Sequence, residues 1–242
     1  MSVLSLALSH LLVAYAALVE PVLGVRLYRR LEQAAARSGE ARVRFYRLSL
    51  AFEWTWALVV LLIVVLGGPS LAELGLRWEA PPARVIGFVV AAVLGSLMPL
   101  AIFWVRSRKP GGPAVGESMR RMLEPVGALL PDTPKERRLF GVLAVTAGVC
   151  EELLFRGFLL FYLQEVFPGL PLWAAVVGSS AVFGIAHLYQ GLGGVLGTAG
   201  FGAAMAVLYV ASGSLIVPIL LHALLDLRIL LLHRPREGGS VT

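Results

Sequence analysis

The sequence predicts an all-α protein, a polytopic bundle of about seven transmembrane helices. Of its 242 residues, 58% are hydrophobic, whereas soluble domains contain roughly 45–50% apolar residues. The mean hydropathy is +0.81. Several apolar runs approach the ~20 residues that a helix needs to cross a bilayer. A soluble helical protein with buried helices is the less favoured interpretation.

The first half of the chain carries three predicted spans, at about residues 3–25, 48–66 and 85–105. A cleaved signal peptide begins with basic residues, and none precedes the first run, so we expect this run to be retained as a span. Glu20 lies near the end of the first run, where we expect an interfacial position. Glu53 is the acidic residue of the second run. Arginine-rich connectors lie at about 26–47 and 106–138.

Four further spans are predicted in the second half, at about residues 139–163, 172–188, 195–209 and 215–232. Short segments rich in proline, glycine or serine separate them. The sixth run is rich in glycine and alanine, which allow helices to pack closely in lipid. We therefore divide the chain into N-terminal membrane helices with basic connectors (1–138), a helical core (139–233) and a polar tail (234–242).

Basic residues gather in the connectors and account for the net charge of +6. Cytoplasmic loops of membrane proteins carry an excess of lysine and arginine. We therefore expect the connectors and the tail, with Arg234 and Arg236, to be cytoplasmic and the N-terminus to be outside. We expect no nucleic-acid partner, because neither a glycine-rich phosphate loop nor zinc-finger spacing occurs. The single Cys150 excludes a disulfide framework and a cysteine-based metal site.

The fourth run contains three charged residues, Glu151, Glu152 and Arg156. Ionisable residues within a membrane span are costly and indicate a functional site. Glu152 and Arg156 are four residues apart, so they can pair along one helix face. We predict that they form a structural ion pair. Glu151 lies ~100° around the helix and has no such partner, so we predict that it is available for chemistry.

Two later runs carry histidines, and together with Glu151 they predict a hydrolase. His187 ends the fifth run, and His222 and Asp226 are four residues apart on the seventh. A carboxylate in a low-dielectric environment can act as general base towards a water molecule. One histidine can share that water, and the other can donate to the oxyanion that forms. The candidate catalytic residues are therefore Glu151, His187, His222 and Asp226, without a serine or cysteine nucleophile.

The order Glu-Glu-x-x-x-Arg, Phe-x-x-x-His and His-x-x-x-Asp, each on its own apolar run, resembles the CAAX prenyl protease 2 family. Its bacterial members are the CPBP intramembrane proteases, also called the Abi family. The resemblance covers about residues 137–233. It implies that Glu151, His187 and His222 are catalytic and that a peptide bond of a membrane-associated protein or peptide is cleaved. The best-known members have asparagine at the position of Asp226, which leaves an oxyanion-donor role there open.

The resemblance also implies a catalytic function for the core at 139–233 and a location in the bacterial cytoplasmic membrane. Bacterial members are linked to bacteriocin self-immunity, peptide maturation and processing of sorting signals. The sequence has no feature that selects one of these substrates. We expect the partners to be the lipid bilayer and a peptide or membrane-protein substrate.

Two alternatives remain open at the level of the sequence. The four candidate residues are chemically suitable zinc ligands, so a divalent metal such as zinc is a candidate cofactor. Because no His-Glu-x-x-His signature occurs, we favour metal-independent chemistry. The second alternative is a non-enzymatic membrane protein. It would be a proton-coupled transporter that uses the same residues as a relay, or a partner-binding scaffold such as a bacteriocin-immunity factor.

The positions of Glu151 and His187 along their runs raise a geometric question. Glu151 lies ~18 Å along its helix from Leu139, at 1.5 Å per residue, whereas His187 lies at the end of its run. The two can meet only if the fourth helix projects into the cytoplasm or the fifth continues past Gln190. We predict the first arrangement, with a water-filled cavity that opens to the cytoplasmic side.

Overall fold

The computed structural model describes residues 1–35, 40–77 and 123–233, with isolated positions at 86, 87, 90 and 105. Within these residues the regular secondary structure is helical and no strand occurs. This confirms the predicted helix bundle. Six of the predicted spans coincide with helices. The third predicted span at 85–105, most of the connector at 106–138 and the tail with Arg234 and Arg236 lie outside the described residues.

The helices are as follows, in chain order. The first three long helices are α1 (Val3–Ala35), α2 (Glu40–Val65) and α3 (134–166), which consists of Pro134–Glu151, a π-helical segment Glu152–Leu159 and Leu160–Val166. The remaining helices are α4 (Leu172–Ala186), α5 (Gly191–Ser212), α6 (Ile216–Leu227) and α7 (Ile229–Leu232). Short 3₁₀ turns lie at Glu124–Leu129 and Leu188–Gln190.

Three of these helices are long and apolar enough to cross a membrane, namely α1, α2 and the helical stretch Leu188–Ser212. Helix α4 is also apolar but shorter. The predicted connector at 26–47 is largely helical, because α1 continues to Ala35 and α2 begins at Glu40. Arginine and glutamate are good helix formers, so the helices continue beyond the apolar runs that revealed them.

The fourth span was predicted to begin at Leu139, and helix α3 begins five residues earlier, after the N-cap residue Thr133. The hydroxyl of Thr133 accepts from the backbone N–H of Glu136, and the Glu136 carboxylate accepts from the N–H of Thr133. Such a capping box satisfies two otherwise unpaired donors. From 134 to 166 the helix is roughly 50 Å long, which exceeds the ~30 Å of a bilayer hydrocarbon core. This length leaves room for the N-terminal part to project beyond the membrane, and the projection itself stays a prediction.

Helix α3 lies at the centre of the described bundle, with α2 and α6 packed along it. The backbones of α3 and α6 approach each other closely at Gly148. A Cβ at that position would lie 2.8 Å from the backbone nitrogen of Ala223 and 2.9 Å from its Cβ. Only glycine allows so close a contact. Since Gly148 lies one turn before Glu152, and Ala223 follows His222, this contact brings the glutamate pair beside the histidine.

A polar network closes one end of the bundle. Arg42 of α2 forms an ion pair with Asp132 at 3.0 Å, and His233 lies 3.0 Å from the same carboxylate. Arg137 donates to the carbonyl of Leu230 and, at 3.1 Å, to that of His233. The phenol of Tyr46 donates to the Leu129 carbonyl at 2.6 Å. The phenol of Tyr28 and Nε of Arg42 also donate to carbonyls of the 3₁₀ turn 124–129, which holds this turn against α1 and α2.

Candidate active site

The two glutamates of α3 lie where the helix changes from α to π geometry. Glu151 is the last residue of the α-helical part, and the π-helical segment begins at Glu152. Ser179 of α4 donates to the carbonyl of Phe155 within this segment at 2.6 Å. Single π-helical turns inside α-helices occur frequently at functional sites. The sequence pattern gave no indication of this change, because π-helical geometry depends on such contacts between helices.

Glu152 and Arg156 form the expected ion pair inside the bundle. Oε1 of Glu152 lies 3.0 Å from Nη1 of Arg156, and the two side chains are 0% and 1% exposed. The guanidinium also lies over the ring of Phe183, 4.2 Å from its centroid. A Cβ at Gly202 would lie 3.1 Å from Nη2 of Arg156, so this glycine leaves space for the arginine. The buried charge of Arg156 is thus balanced by Glu152.

Glu152 has a second partner, which the sequence did not predict. Nδ1 of His222 lies 2.7 Å from the same Oε1. A carboxylate held by an arginine is an acceptor, so Nδ1 of the histidine carries the hydrogen. Nε2 of His222 then faces Oε2 of Glu151 and Oδ2 of Asp226, each at 3.7 Å. Glu152 therefore fixes the orientation of a candidate catalytic histidine.

His187 lies at the C-cap of α4 and is held through its backbone. Its Nδ1 lies 2.9 Å from the carbonyl oxygen of Phe183. A carbonyl only accepts, so Nδ1 is the donor, and Nε2 of the neutral ring is left as an acceptor. The ring also packs against Phe183, with centroids 4.6 Å apart. Helix α4 ends at Ala186, so the fifth span does not continue past Gln190 as a single helix.

The four predicted catalytic residues line one cavity of about 710 Å³. They come from α3, from the junction of α4 and α5, and from α6. The cavity extends towards Leu129, Leu130 and Arg228 at the end of the bundle that the polar network closes. Most of its wall is apolar or aromatic, with side chains from Phe45, Phe52, Trp56, Phe140, Leu143 and Phe201. The catalytic roles of the four residues remain predictions.

Two further carboxyl groups line the same cavity, Glu20 of α1 and Glu53 of α2. Glu20 lies in mid-helix, because α1 continues to Ala35, and its expected interfacial position stays a prediction. Glu20 directly follows a π-helical turn at Tyr15–Val19. Helices α1, α2 and α3 thus each contribute a carboxyl group to the cavity. The sequence could have indicated that both residues belong to the site, because each is the acidic residue of an apolar run.

The arrangement of these side chains bears on the metal alternative. Among the residues that the structure describes, no three His, Cys, Asp or Glu side chains are grouped so as to hold one metal ion. The metalloprotease alternative therefore gains no support from the geometry.

The apolar helices and the internal cavity with carboxyl and imidazole groups define a helical membrane protein with a polar site among its helices. Residues 135–228 match the family described as type II CAAX prenyl endopeptidase, Rce1-like. This match confirms the resemblance to the CPBP, or CAAX protease, family over that segment, and it indicates a CAAX-type protease. No curated protein and no solved structure matches the chain.

Proposed function

We propose that the protein is an intramembrane endopeptidase in which Glu151 activates the water that attacks the scissile peptide bond. One observation carries this proposal: Glu151, His187, His222 and Asp226 come from three separate parts of the fold and line the same cavity. The local sequence does not require them to meet. A general base, a histidine acceptor and a histidine donor around one space are the parts that hydrolysis of an amide needs.

The proposed reaction begins with a water molecule and a peptide carbonyl in the cavity. The Glu151 carboxylate takes one proton of the water while its oxygen attacks the carbonyl carbon. Nε2 of His187, the acceptor atom of that ring, holds the second hydrogen of the water. The intermediate collapses when the C–N bond breaks and the leaving amine takes the proton from Glu151. Atoms and charges then balance, and the carboxylate is regenerated.

His222 is proposed to stabilise the oxyanion through Nε2–H, as an imidazolium that carries a hydrogen on each ring nitrogen. Its Nδ1–H is engaged by Glu152 at 2.7 Å, so its other nitrogen has a fixed direction. A preorganised donor stabilises the developing charge without reorganisation during the reaction. Asp226, 3.7 Å from Nε2, is proposed to orient this nitrogen. As an ionised carboxylate it accepts hydrogen bonds and cannot donate one to the oxyanion.

The walls of the cavity suggest the kind of substrate. Aromatic and aliphatic side chains surround the polar groups, which suits an apolar, membrane-associated chain. We therefore propose a peptide or membrane-protein substrate that reaches the site from the bilayer or its surface, of the CAAX type that the matching family indicates.

The test uses the full chain in lipid vesicles and a quenched fluorescent peptide that ends in a prenylated CAAX sequence. We expect the wild type to cleave this peptide and Glu151→Gln to lose at least ~100-fold in kcat, because the change removes the base and little volume. Thr55→Val is the matched control, since Thr55 lies on the exposed side of α2. Cleavage by Glu151→Gln at the wild-type rate would exclude Glu151 as the base.

Substrates outside the CAAX type are tested in cells. Protein termini in membranes that contain the wild type are compared with those in membranes that contain Glu151→Gln at equal abundance. We expect new termini only with the wild type. If neither the peptide nor any membrane protein is cleaved, the proposed endopeptidase activity is wrong.

A further inference from the structure

The short turn between α4 and α5 carries a tyrosine, Tyr189, beside the candidate histidine His187. The turn spans Leu188–Gln190, and the backbone N–H of Gln190 donates to the carbonyl of His187 at 2.9 Å. The ring centroids of His187 and Tyr189 lie 5.8 Å apart, and both side chains line the cavity. A phenol that the proposed reaction does not use therefore adjoins the histidine that holds the attacking water.

Helix α1 supports the ring of Tyr189 from the side away from His187. A Cβ at Gly24 would lie 3.6 Å from Cδ1 of Tyr189, so the backbone of α1 passes close to the ring. The ring of Tyr28 lies 5.2 Å from that of Tyr189, centroid to centroid. Tyr28 is itself fixed, because its hydroxyl donates to the carbonyl of Pro125 at 2.9 Å. Contacts from α1 and from His187 thus define the position of the phenol.

The hydroxyl of Tyr189 accepts a hydrogen bond within the protein and has its own hydrogen left to donate. Nε2 of Gln190 donates to the phenol oxygen at 3.2 Å. The side chain of Gln190 has space there because a Cβ at Gly194 would lie 2.2 Å from its Cβ. A phenol both accepts and donates. No residue in the part of the chain that the structure describes accepts the hydrogen of Tyr189.

A donor of this kind matters for a peptide in this cavity. A carbonyl that leaves water and finds no donor loses free energy, and the aromatic and aliphatic side chains of the wall cannot donate to it. Three other hydroxyls in the wall are already engaged with backbone carbonyls of the protein, those of Tyr28, Tyr46 and Thr198. The phenol of Tyr189 is a hydroxyl in the wall that has a fixed position and a hydrogen to offer to a ligand.

We propose that Tyr189 is a substrate-binding residue that donates its hydroxyl hydrogen to a backbone carbonyl of the bound peptide. Gln190 is the positioning residue that sets the direction of this donor. The inference rests on the proposed function, in which His222 serves the carbonyl under attack, so Tyr189 serves a carbonyl of a neighbouring residue. This hydrogen bond exists before and during the attack, and it therefore strengthens the binding of substrate and transition state alike.

Binding of a fluorescent prenylated CAAX peptide to the full chain in lipid vesicles tests the proposal. All variants carry Glu151→Gln, so that the peptide is not consumed. We expect Tyr189→Phe, which keeps the ring, to raise Kd by about threefold to tenfold. Tyr162→Phe is the matched control, because this buried phenol pairs with His10 at 3.1 Å and lies outside the cavity wall. An unchanged Kd in Tyr189→Phe would overturn the proposal.

Gln190→Met tests the positioning role, since it removes the amide and keeps an unbranched side chain beside Gly194. We expect a smaller rise in Kd than in Tyr189→Phe, and no further rise when Gln190→Met is added to Tyr189→Phe. Independent, additive losses would show that Gln190 does not act through the hydroxyl of Tyr189.

Peptides in which a trans-alkene replaces one amide at a time identify the carbonyl that accepts. The alkene keeps the planar geometry and removes the acceptor. We expect one such peptide to bind the parent protein and its Tyr189→Phe variant equally, because the contact is already lost. If Tyr189→Phe weakens every alkene peptide by the same factor, the hydroxyl does not bind a peptide carbonyl and the proposal is wrong.

Cleavage with Glu151 restored separates this inference from the proposed function. We expect Tyr189→Phe to raise KM by about the same factor as Kd, with kcat little changed. If binding depends on Tyr189 but the wild type cleaves nothing, the binding role stands and the endopeptidase proposal fails. If the wild type cleaves the peptide and Tyr189→Phe changes neither Kd nor KM, the endopeptidase proposal stands and this inference fails. A peptide that neither binds nor is cleaved would contradict both.

Discussion

A hydrogen bond of 2.7 Å joins Glu152 of α3 to His222 of α6. These two residues are 70 positions apart in the chain. The same carboxylate oxygen is paired with Arg156 at 3.0 Å. One buried chain of contacts therefore connects Arg156 to Glu152 and Glu152 to His222, and it ends at the cavity. The second glutamate of the pair thus connects the buried arginine to a histidine that faces the candidate base.

Removal of Arg156 tests the structural part of this chain. Arg156→Ala leaves Glu152 buried without its arginine partner, which costs on the order of 3–5 kcal/mol. We expect less folded protein in the membrane and a lower unfolding temperature in detergent. The control is Arg138→Ala, at an exposed position of the same helix. Wild-type abundance and thermal stability combined with complete loss of cleavage would instead assign Arg156 a direct role in the chemistry.

The close contact of α3 and α6 predicts that Gly148 is needed for the site to form. In Gly148→Ala the added methyl would lie 2.8 Å from the Ala223 nitrogen, so the helices must separate. Overpacking of this kind typically costs about 1–3 kcal/mol, and we expect reduced cleavage because His222 moves away from Glu152. Gly200→Ala is the control, since a Cβ there has no neighbour within 4 Å. Equal stability and activity of the two variants would contradict the prediction.

The sequence predicted the fold well, because membrane helices reveal themselves by apolar length. The candidate site residues were predicted because they are isolated ionisable residues in such runs. The pairing of Glu152 with Arg156 was predicted from their helical spacing. The interaction of Glu152 with His222 could not be predicted, since it depends on how two distant helices pack. The place of Glu20 in the middle of α1 could not be predicted either, because the apolar run ends before the helix does. The π-helical segment likewise depends on tertiary contacts such as that of Ser179 with Phe155.

The orientation of the bundle is predicted from its basic connectors. Cysteines introduced at positions 35 and 115 should be labelled by a membrane-impermeant thiol reagent only after the cytoplasmic side is made accessible. Position 115 lies outside the described residues, and Ala35 ends α1. The native Cys150 is 1% exposed, so the unmodified protein serves as the unlabelled control. Labelling of both positions in intact cells would reverse the predicted topology.

Metal removal tests the proposed mechanism against the metalloprotease alternative. We expect a chelator of divalent cations to leave the cleavage rate of the wild type unchanged, since Glu151 alone activates the water in the proposed reaction. The control is a zinc-dependent peptidase treated in the same vesicles. Loss of activity on chelation, with recovery on addition of zinc, would show that the ion takes part and that Glu151 has a different role.

Asp226 provides a test of how the oxyanion is stabilised. Its carboxylate lies 3.7 Å from Nε2 of His222, and it can only accept hydrogen bonds while it is ionised. Asp226→Asn keeps an acceptor for the histidine and adds an N–H donor that can reach the developing oxyanion. We therefore expect kcat of Asp226→Asn to equal or exceed that of the wild type, with KM little changed. Asp226→Ala removes both functions, and we expect its kcat to fall by about tenfold to 100-fold.

The comparison of these two variants is decisive because the asparagine and the alanine share the loss of charge. If orientation of His222 is the role of Asp226, only the alanine variant is impaired. If both variants lose activity equally, the negative charge itself is required. His222 would then depend on the charge of Asp226 to remain the imidazolium that donates to the oxyanion. Steady-state kinetics on the prenylated CAAX peptide, at equal amounts of folded protein, distinguishes the two outcomes.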